Sequence, residues 1–322
     1  MIPPNPLNTA AQTALALGAT LYLPATRPDL VALGNGDTLP ELRSLVYCTE
    51  DAVAVADVEH AIANLAAALP QLVPVRGRFR FVRPRSPALL ARLLSLPGSD
   101  AIDGFVLPKA SPANLAAYWE LLEPHERFWL LPTLETRDVF DPFGLAALRQ
   151  ALTEPNLARR VLCLRIGGND LLNLLGVRRR PGQTLYDTPL RGTLEQLVST
   201  FKPDGFALSA PVYDDFGDTT TLAAEVARDL DFGLTGKTAI HPRQLAVIEA
   251  GYRVDRAELA LADAILAADA PAVFGVRTTA AETMAEPSTQ WRWATAVRAR
   301  ARFYGLRDAE PTQNPLVMFE AG

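Results

Sequence analysis

The strongest constraint on this chain is an alternation. Short runs rich in aliphatic, aromatic and β-branched residues recur, separated by longer stretches with helical spacing. The runs are Thr20–Pro24 (TLYLP), Ser44–Thr49 (SLVYCT), Arg78–Arg83 (RFRFVR) and Ile102–Pro108 (IDGFVLP). They continue with Phe128–Thr133 (FWLLPT), Val161–Gly167 (VLCLRIG), Gly205–Ser209 (GFALS) and a weaker Lys237–His241 (KTAIH). Between them, Asp57–Leu69, Pro87–Leu96, Pro112–Leu122 and Thr219–Asp229 read as helices. Eight strands alternating with helices over about 230 residues predict an α/β fold, a (β/α)8 TIM barrel. A doubly wound open sheet is the competitor. No GxGxxG follows the first run and no GxxxxGK[ST] occurs, which weighs against a nucleotide-binding sheet of that kind.

The expected division is an N-terminal arm over 1–19, the barrel over 20–255 and a C-terminal helical extension over 256–322. Helices are expected over 256–270 and 288–304. The second carries Trp291, Ala294, Val297 and Ala301 along one face, which can pack on a neighbouring subunit or on the same barrel. With 49% hydrophobic residues among 322, the chain can build a large core and is not a disordered tail. A net charge of −5 argues against a nucleic-acid binder, which needs a basic surface. Two cysteines, Cys48 and Cys163, exclude a disulfide scaffold and a cysteine zinc site, and they read as small core residues. No apolar run reaches about 18 residues, so no membrane span is expected. The first residues, MIPPNPLNTAAQ, lack a basic leader region, and the expected location is cytoplasmic.

Nearly every predicted strand is followed by an ionisable residue. In chain order these are Arg27, Glu50 and Asp51, Arg83 and Arg85, Lys109, Glu135, Asp170, Asp214 and Asp215, and His241. In a parallel barrel these strand ends meet at one face, where active sites form. Glu135 and Asp170 follow adjacent strands, and Mg²⁺ favours one or two carboxylates completed by water and substrate oxygens. Gly167 and Gly168, just before Asp170, leave room for a ligand to approach the backbone. The plain alternative is a helix cap at Asp170 and a surface Glu135. The run Arg178–Arg180 reads either as a phosphate-binding loop or as a solvated one.

The strings LYLPATRPDL, YCTEDAV, FVRPRS, VLPKA, LPTLET, GGNDLL and GKTAIHPRQL occur in this order. Together they resemble the HpcH/HpaI aldolase and citrate lyase β-subunit superfamily, nearer its citrate-lyase branch, over roughly residues 20–290. The resemblance implies a homo-oligomer, trimer or hexamer, whose C-terminal segment reaches a neighbour. It implies a Mg²⁺-dependent carbon–carbon lyase cleaving a 2-oxo or 3-hydroxy acid, free or as a CoA or other acyl thioester, by retro-aldol or retro-Claisen chemistry. Glu135 and Asp170 match the metal ligands, and Arg83 the residue that holds the oxo-acid carboxylate or carbonyl. Glu50 and Asp51 match the last two acids of a DLEDAV string. Lys109 matches the Lys of LPK, Arg27 the basic residue after the first strand, and His241 the IHP string near the substrate mouth.

The chain also departs from the pattern. Cys48 stands where the first acid of DxED is expected, Arg85 stands for an Asn, and TMAEP replaces MVDxP, with Glu286 as a stand-in. The general base stays open among His241, Glu50 and Glu286, and so does the thioester half of the substrate. A condensing enzyme of the malate-synthase type and a non-catalytic barrel subunit are the alternatives.

Overall fold

The computed structural model describes residues 9–267, 274–277, 282–307 and 317–320. Its parallel strands are β1 (Ala19–Pro24), β2 (Ser44–Cys48), β3 (Phe79–Arg83), β4 (Gly104–Leu107), β5 (Trp129–Leu134), β6 (Leu164–Ile166), β7 (Leu208–Ser209) and β8 (Lys237–Ala239). Sequence neighbours are sheet neighbours throughout, and β1 also pairs with β8. Hydrogen bonds from Ala210 N to Gly236 O and from Thr238 N to Ala210 O join β7 to β8 and close the ring. The expected TIM barrel is therefore what the chain forms, with each predicted strand in its predicted place to within a few residues.

The helices are α1 (Thr9–Leu15), α2 (Leu30–Asn35), α3 (Val58–Ala68), α4 (Pro87–Leu94), α5 (Pro112–Leu122), α6 (Pro142–Leu152), α7 (Pro155–Ala158), α8 (Gly168–Leu174), α9 (Leu190–Phe201), α10 (Thr219–Asp231) and α11 (Arg243–Gly251). Several start on local sequence signals. Ser86, Ser111 and Asp141 accept from backbone N–H groups of the first turns of α4, α5 and α6, and each is followed by a proline. Such a side chain satisfies an otherwise orphaned donor, and a proline at the first helical position has no N–H to orphan. Part of the high proline content is thus helix initiation.

Two hydrophobic layers hold the barrel. Outward strand residues such as Leu45, Val82, Phe105, Leu130 and Leu164 pack under the surrounding helices. A second cluster fills the lumen: Val46, Phe81, Val106, Leu131, Leu162, Cys163 and Ala207, with Ala14 and Leu17 plugging the N-terminal end. Alternate residues of each strand supply the two layers, so each strand is buried on both faces, as an enclosed parallel sheet requires.

Beyond the barrel, α12 (Arg256–Ala267) packs on α13 (Pro287–Tyr304) through Ala262, Ile265, Ala294 and Val297. Tyr304 stacks on Tyr252 at 5.2 Å between ring centroids, and Arg43 covers it at 4.6 Å. Arg43 immediately precedes β2, so the extension is seated at the N-terminal end of the barrel. Trp293 is left exposed on α13. The sequence predicts a helical extension over 256–322. The structure adds a small antiparallel sheet in the order β10 (Glu282–Ala285), β9 (Phe274–Arg277), β11 (Val317–Glu320). These strands of four residues each fall outside the alternation of strands and helices that marks the barrel. Residues 1–8 of the expected arm and 268–270 of the expected helix lie outside the described residues.

Candidate active site

Four consecutive strand ends converge at the C-terminal mouth. Arg83, the last residue of β3, extends its Nη2 to three carboxylates: Glu50 Oε2 at 2.8 Å, Glu135 Oε1 at 3.1 Å and Asp51 Oδ2 at 3.2 Å. Lys109 follows β4 and contacts Glu50 through Nζ, with Asp51 at 3.4 Å. Its backbone N donates to Glu135 Oε1 at 2.7 Å. To aim that N–H, Lys109 adopts φ 50°, a left-handed conformation that costs a non-glycine residue about 1–2 kcal/mol. The Asn114 side chain holds the Lys109 carbonyl at 2.6 Å. Arg85 grips the loop that carries the two acids, donating to the Thr49 and Glu50 carbonyls at 3.3 and 2.8 Å and also to that of Val53. The residue that replaces the family's Asn is therefore a staple for this loop. Cys48 lies buried at the end of β2, and burial pushes its thiol upward, so it adds no charge.

Asp170 is in the first turn of α8, half-buried. Its charge reaches Glu135. Burial first, and then Asp170, raise the Glu135 carboxyl to about 7, against the pull of Arg83. Burial and the neighbouring Asp51 raise Glu50. Burial also acts to raise Asp51, but Glu50, Arg83 and Lys109 bring it below the usual range. Burial acts to lower Lys109, and its acidic neighbours Glu50, Asp51 and Glu135 outweigh it. Four carboxylates here face two direct cations, Arg83 and Lys109. The imbalance leaves Glu135 short of positive charge.

Six of the sequence candidates thus come together: Glu50, Asp51, Arg83, Lys109, Glu135 and, through its field, Asp170. Two do not. Arg27 is exposed and spends its guanidinium on Asp29 at 2.6–2.8 Å, because the turn after β1 points it outward. His241 stacks flat on Phe216 at 4.6 Å, and its Nδ1 accepts from the backbone N of Arg243, so the local turn at the start of α11 holds the ring. Among the described residues, the partners of these two side chains lie outside the acid cluster. Glu286 accepts from Ser288 and its backbone N is taken by Gln290, all within its own segment. Arg179, at the centre of the candidate phosphate-binding run, is buried and paired with Asp214 and Glu225, which removes it from ligand binding. Arg178 and Arg180 remain exposed.

The donor set suits a hard divalent cation. A side chain at Gly167 would collide with the Glu135 side chain, so the glycine makes room for that carboxylate. Among the described residues, no group of three or more His, Cys, Asp and Glu side chains is placed to chelate a metal. Glu135 and Asp170 are the carboxylates that could hold such a cation, since Mg²⁺ takes one or two carboxylates and completes its shell with water and substrate oxygens, whereas a structural zinc needs a full protein cage.

A closed (β/α)8 barrel with acids and an arginine converging on its C-terminal mouth defines a TIM-barrel enzyme. The family described as C-C_Bond_Lyase of the TIM-Barrel fold matches residues 11–306, and this chain belongs to it. It is therefore a member of a carbon–carbon bond lyase family, as the sequence resemblance implied. A (3S)-malyl-CoA thioesterase of Cereibacter sphaeroides is 28% identical over 253 residues, 78% of this chain and 82% of that protein. Among solved structures, CitE of Mycobacterium tuberculosis with magnesium, acetoacetate and coenzyme A shares the fold. Its TM-score is 0.66 and its identity 23%, covering 89% of this chain and 99% of that one. RipC from Yersinia pestis does so at a TM-score of 0.57 and 24% identity, covering 76% and 99%.

Proposed function

We propose that this protein is a Mg²⁺-dependent carbon–carbon lyase that cleaves a 3-hydroxy or 2-oxo acid, presented as a CoA thioester, by retro-Claisen or retro-aldol chemistry. The observation that carries the reading is the charge imbalance at the mouth, where Glu135 and Asp170 repel one another beside a glycine. Glu135 and Asp170 would hold the cation. When bound, it supplies Lewis-acid stabilisation for the oxygen that gains charge as the bond breaks. Arg83 keeps the acids in place through Nη2, and the field of its guanidinium favours an anion such as an oxo-acid carboxylate at the mouth. Glu50 is the proton carrier. Its Oε atoms sit between Arg83 and Lys109, and its raised pKa brings it nearer neutral pH, where a general base works best. Lys109 is a charged partner of Glu50, and its raised pKa argues against a nucleophilic amine.

Support for the thioester comes from the relatives, one named for malyl-CoA and one solved with coenzyme A. The relatives' names also raise thioester hydrolysis as a second reading. Products separate the two. With malyl-CoA and Mg²⁺, cleavage releases glyoxylate and acetyl-CoA with no free thiol. Hydrolysis releases malate and one thiol per turnover. Formation of neither product from a panel of oxo-acid and hydroxy-acid thioesters would contradict the lyase and favour a non-catalytic barrel. Net synthesis from glyoxylate and acetyl-CoA with thiol release would favour the condensing alternative.

The expected homo-oligomer, trimer or hexamer, and the cytoplasmic location belong to the same proposal. Two free, buried cysteines accord with a reducing compartment. No helix among the described residues is long and apolar enough to cross a membrane.

A further inference from the structure

The lumen of the barrel is divided. Val46, Phe81, Val106 and Leu131 make the side lined by β2–β5 apolar. The other side carries Arg165, an inward residue of β6 that is 2% exposed. Its guanidinium crosses the lumen to Thr238 Oγ1 at 2.6 Å and Thr20 Oγ1 at 3.4 Å, and it lies 5.2 Å from the Tyr22 ring centroid. No ion pair among the described residues includes it. A buried charge is costly unless an opposite charge or a full set of hydrogen bonds compensates it. Two hydroxyls, the neighbouring Cys163 thiol and a ring face supply no opposite charge. The ladder register sets Thr133 of β5 on one side of Arg165 and Ser209 of β7 on the other. Both hydroxyls are buried and have no hydrogen-bond partner among the described residues. Thr133 is two residues before Glu135, and Arg165 is two before Gly167. This layer therefore lies one inward step, about 6.6 Å along a parallel strand, beneath the acids of the mouth. Tyr22, whose ring lies under the Arg165 guanidinium, is partly exposed.

We propose that Arg165, Thr133 and Ser209 form a carboxylate subsite on the floor of the barrel mouth. A planar guanidinium with hydroxyl donors on either side matches the acceptor geometry of a carboxylate. The anion can be the far carboxylate of a diacid whose near end is held at the mouth, or a free small carboxylate. The first source rests on the lyase reading and makes Arg165 a specificity-determining residue that favours dicarboxylic over monocarboxylic oxo acids. The signal in the sequence is a lone arginine inside the apolar run VLCLRIG.

Calorimetric titration tests this in wild type, in Arg165→Met and in the Thr133→Val, Ser209→Ala double variant. The probes are formate in EDTA, and pyruvate and freshly dissolved oxaloacetate with Mg²⁺. A diacid source predicts at least tenfold tighter binding of oxaloacetate than pyruvate, a preference lost in Arg165→Met while pyruvate binding is unchanged. A free-anion source predicts formate binding that weakens at least tenfold in Arg165→Met. The double variant, which removes two hydroxyls without burying a new polar group, is expected to lose threefold or more of the same preference. It carries the test if Arg165→Met does not fold. Formate affinity and oxaloacetate preference that are absent in wild type, or equal in all folded variants, would overturn the subsite. Loss of Mg²⁺-dependent pyruvate binding in wild type would instead count against the lyase reading, and the metal-free formate arm keeps the two apart.

Discussion

Two charged clusters sit at the ends and flank of the same barrel, and they are built differently. At the mouth, Glu50, Asp51, Glu135 and Asp170 face Arg83 and Lys109, with Lys109 and Asp51 about half exposed. On the outer face of β8, Lys237 reaches Glu225 and Asp229 of α10, each at 2.9 Å, with all three side chains sealed from solvent. Arg179 joins at 3.3 Å from Glu225, and Tyr186 donates to Asp229 at 2.7 Å. There two acids meet two cations, and Asp214 attaches from a partly exposed edge at 3.0 Å. The dry cluster is neutralised internally and fastens α10 and the loop after α8 to the barrel. The mouth is left acidic and open. The contrast separates a scaffold, which closes its own charge balance, from a receptor, which leaves it for a ligand to close.

Swapping one charge in each cluster is the most direct way to break the comparison. Glu135→Gln is expected to lower turnover about 1,000-fold, a few kcal/mol of lost transition-state stabilisation. Its melting temperature should hold or rise, because a repulsion disappears. Steady-state kinetics beside a thermal melt reads both. Lys237→Met should do the reverse. It strands Glu225 and Asp229 in a dry site and costs about 3–5 kcal/mol by denaturant titration, with activity per folded molecule nearly unchanged. A large activity loss without destabilisation in Lys237→Met would erase the distinction.

The pH dependence sharpens the same point. Glu135 has a folded pKa of about 7, raised above its ordinary value near 4.5 chiefly by burial. Between those values the folded state binds more protons than the unfolded state, so stability falls as pH rises. In EDTA, denaturant melts should lose on the order of 2–3 kcal/mol between about pH 4.5 and 7, and Mg²⁺ should restore most of it at pH 7. A flat profile without metal would mean that the mouth is not short of positive charge. The smallest effect belongs to Arg27. Its exposed pair with Asp29 predicts that Arg27→Ala changes kcat/KM less than about twofold and stability by less than about 1 kcal/mol.

The alternation of strands and helices was readable because an enclosed parallel sheet demands apolar runs and several helices begin on a Ser, Asp or Pro signal. The acids of the mouth were readable because a barrel gathers the ends of its strands in space. What escaped were side-chain directions. Arg27 and His241 also follow strands, yet a local ion pair and a ring stack turn them to other partners, and strand position alone does not encode those rotations. The sequence leaves Arg179 open between a phosphate-binding and a solvated loop because its counter-ions, Asp214 and Glu225, are 35 and 46 residues away. Arg165 is hard to single out in the sequence because the apolar run VLCLRIG around it marks a buried strand and conceals its one charged member.

Calorimetric titration of Mg²⁺ into wild type and Asp170→Asn, in the presence of pyruvate at pH 7, bears most directly on the claim that the mouth is a cation receptor. The account predicts one site per chain in wild type, proton release from Glu135 on binding, and a loss of affinity of at least tenfold in a folded Asp170→Asn. Equal Mg²⁺ affinity in the two proteins, or binding without proton release, would contradict it.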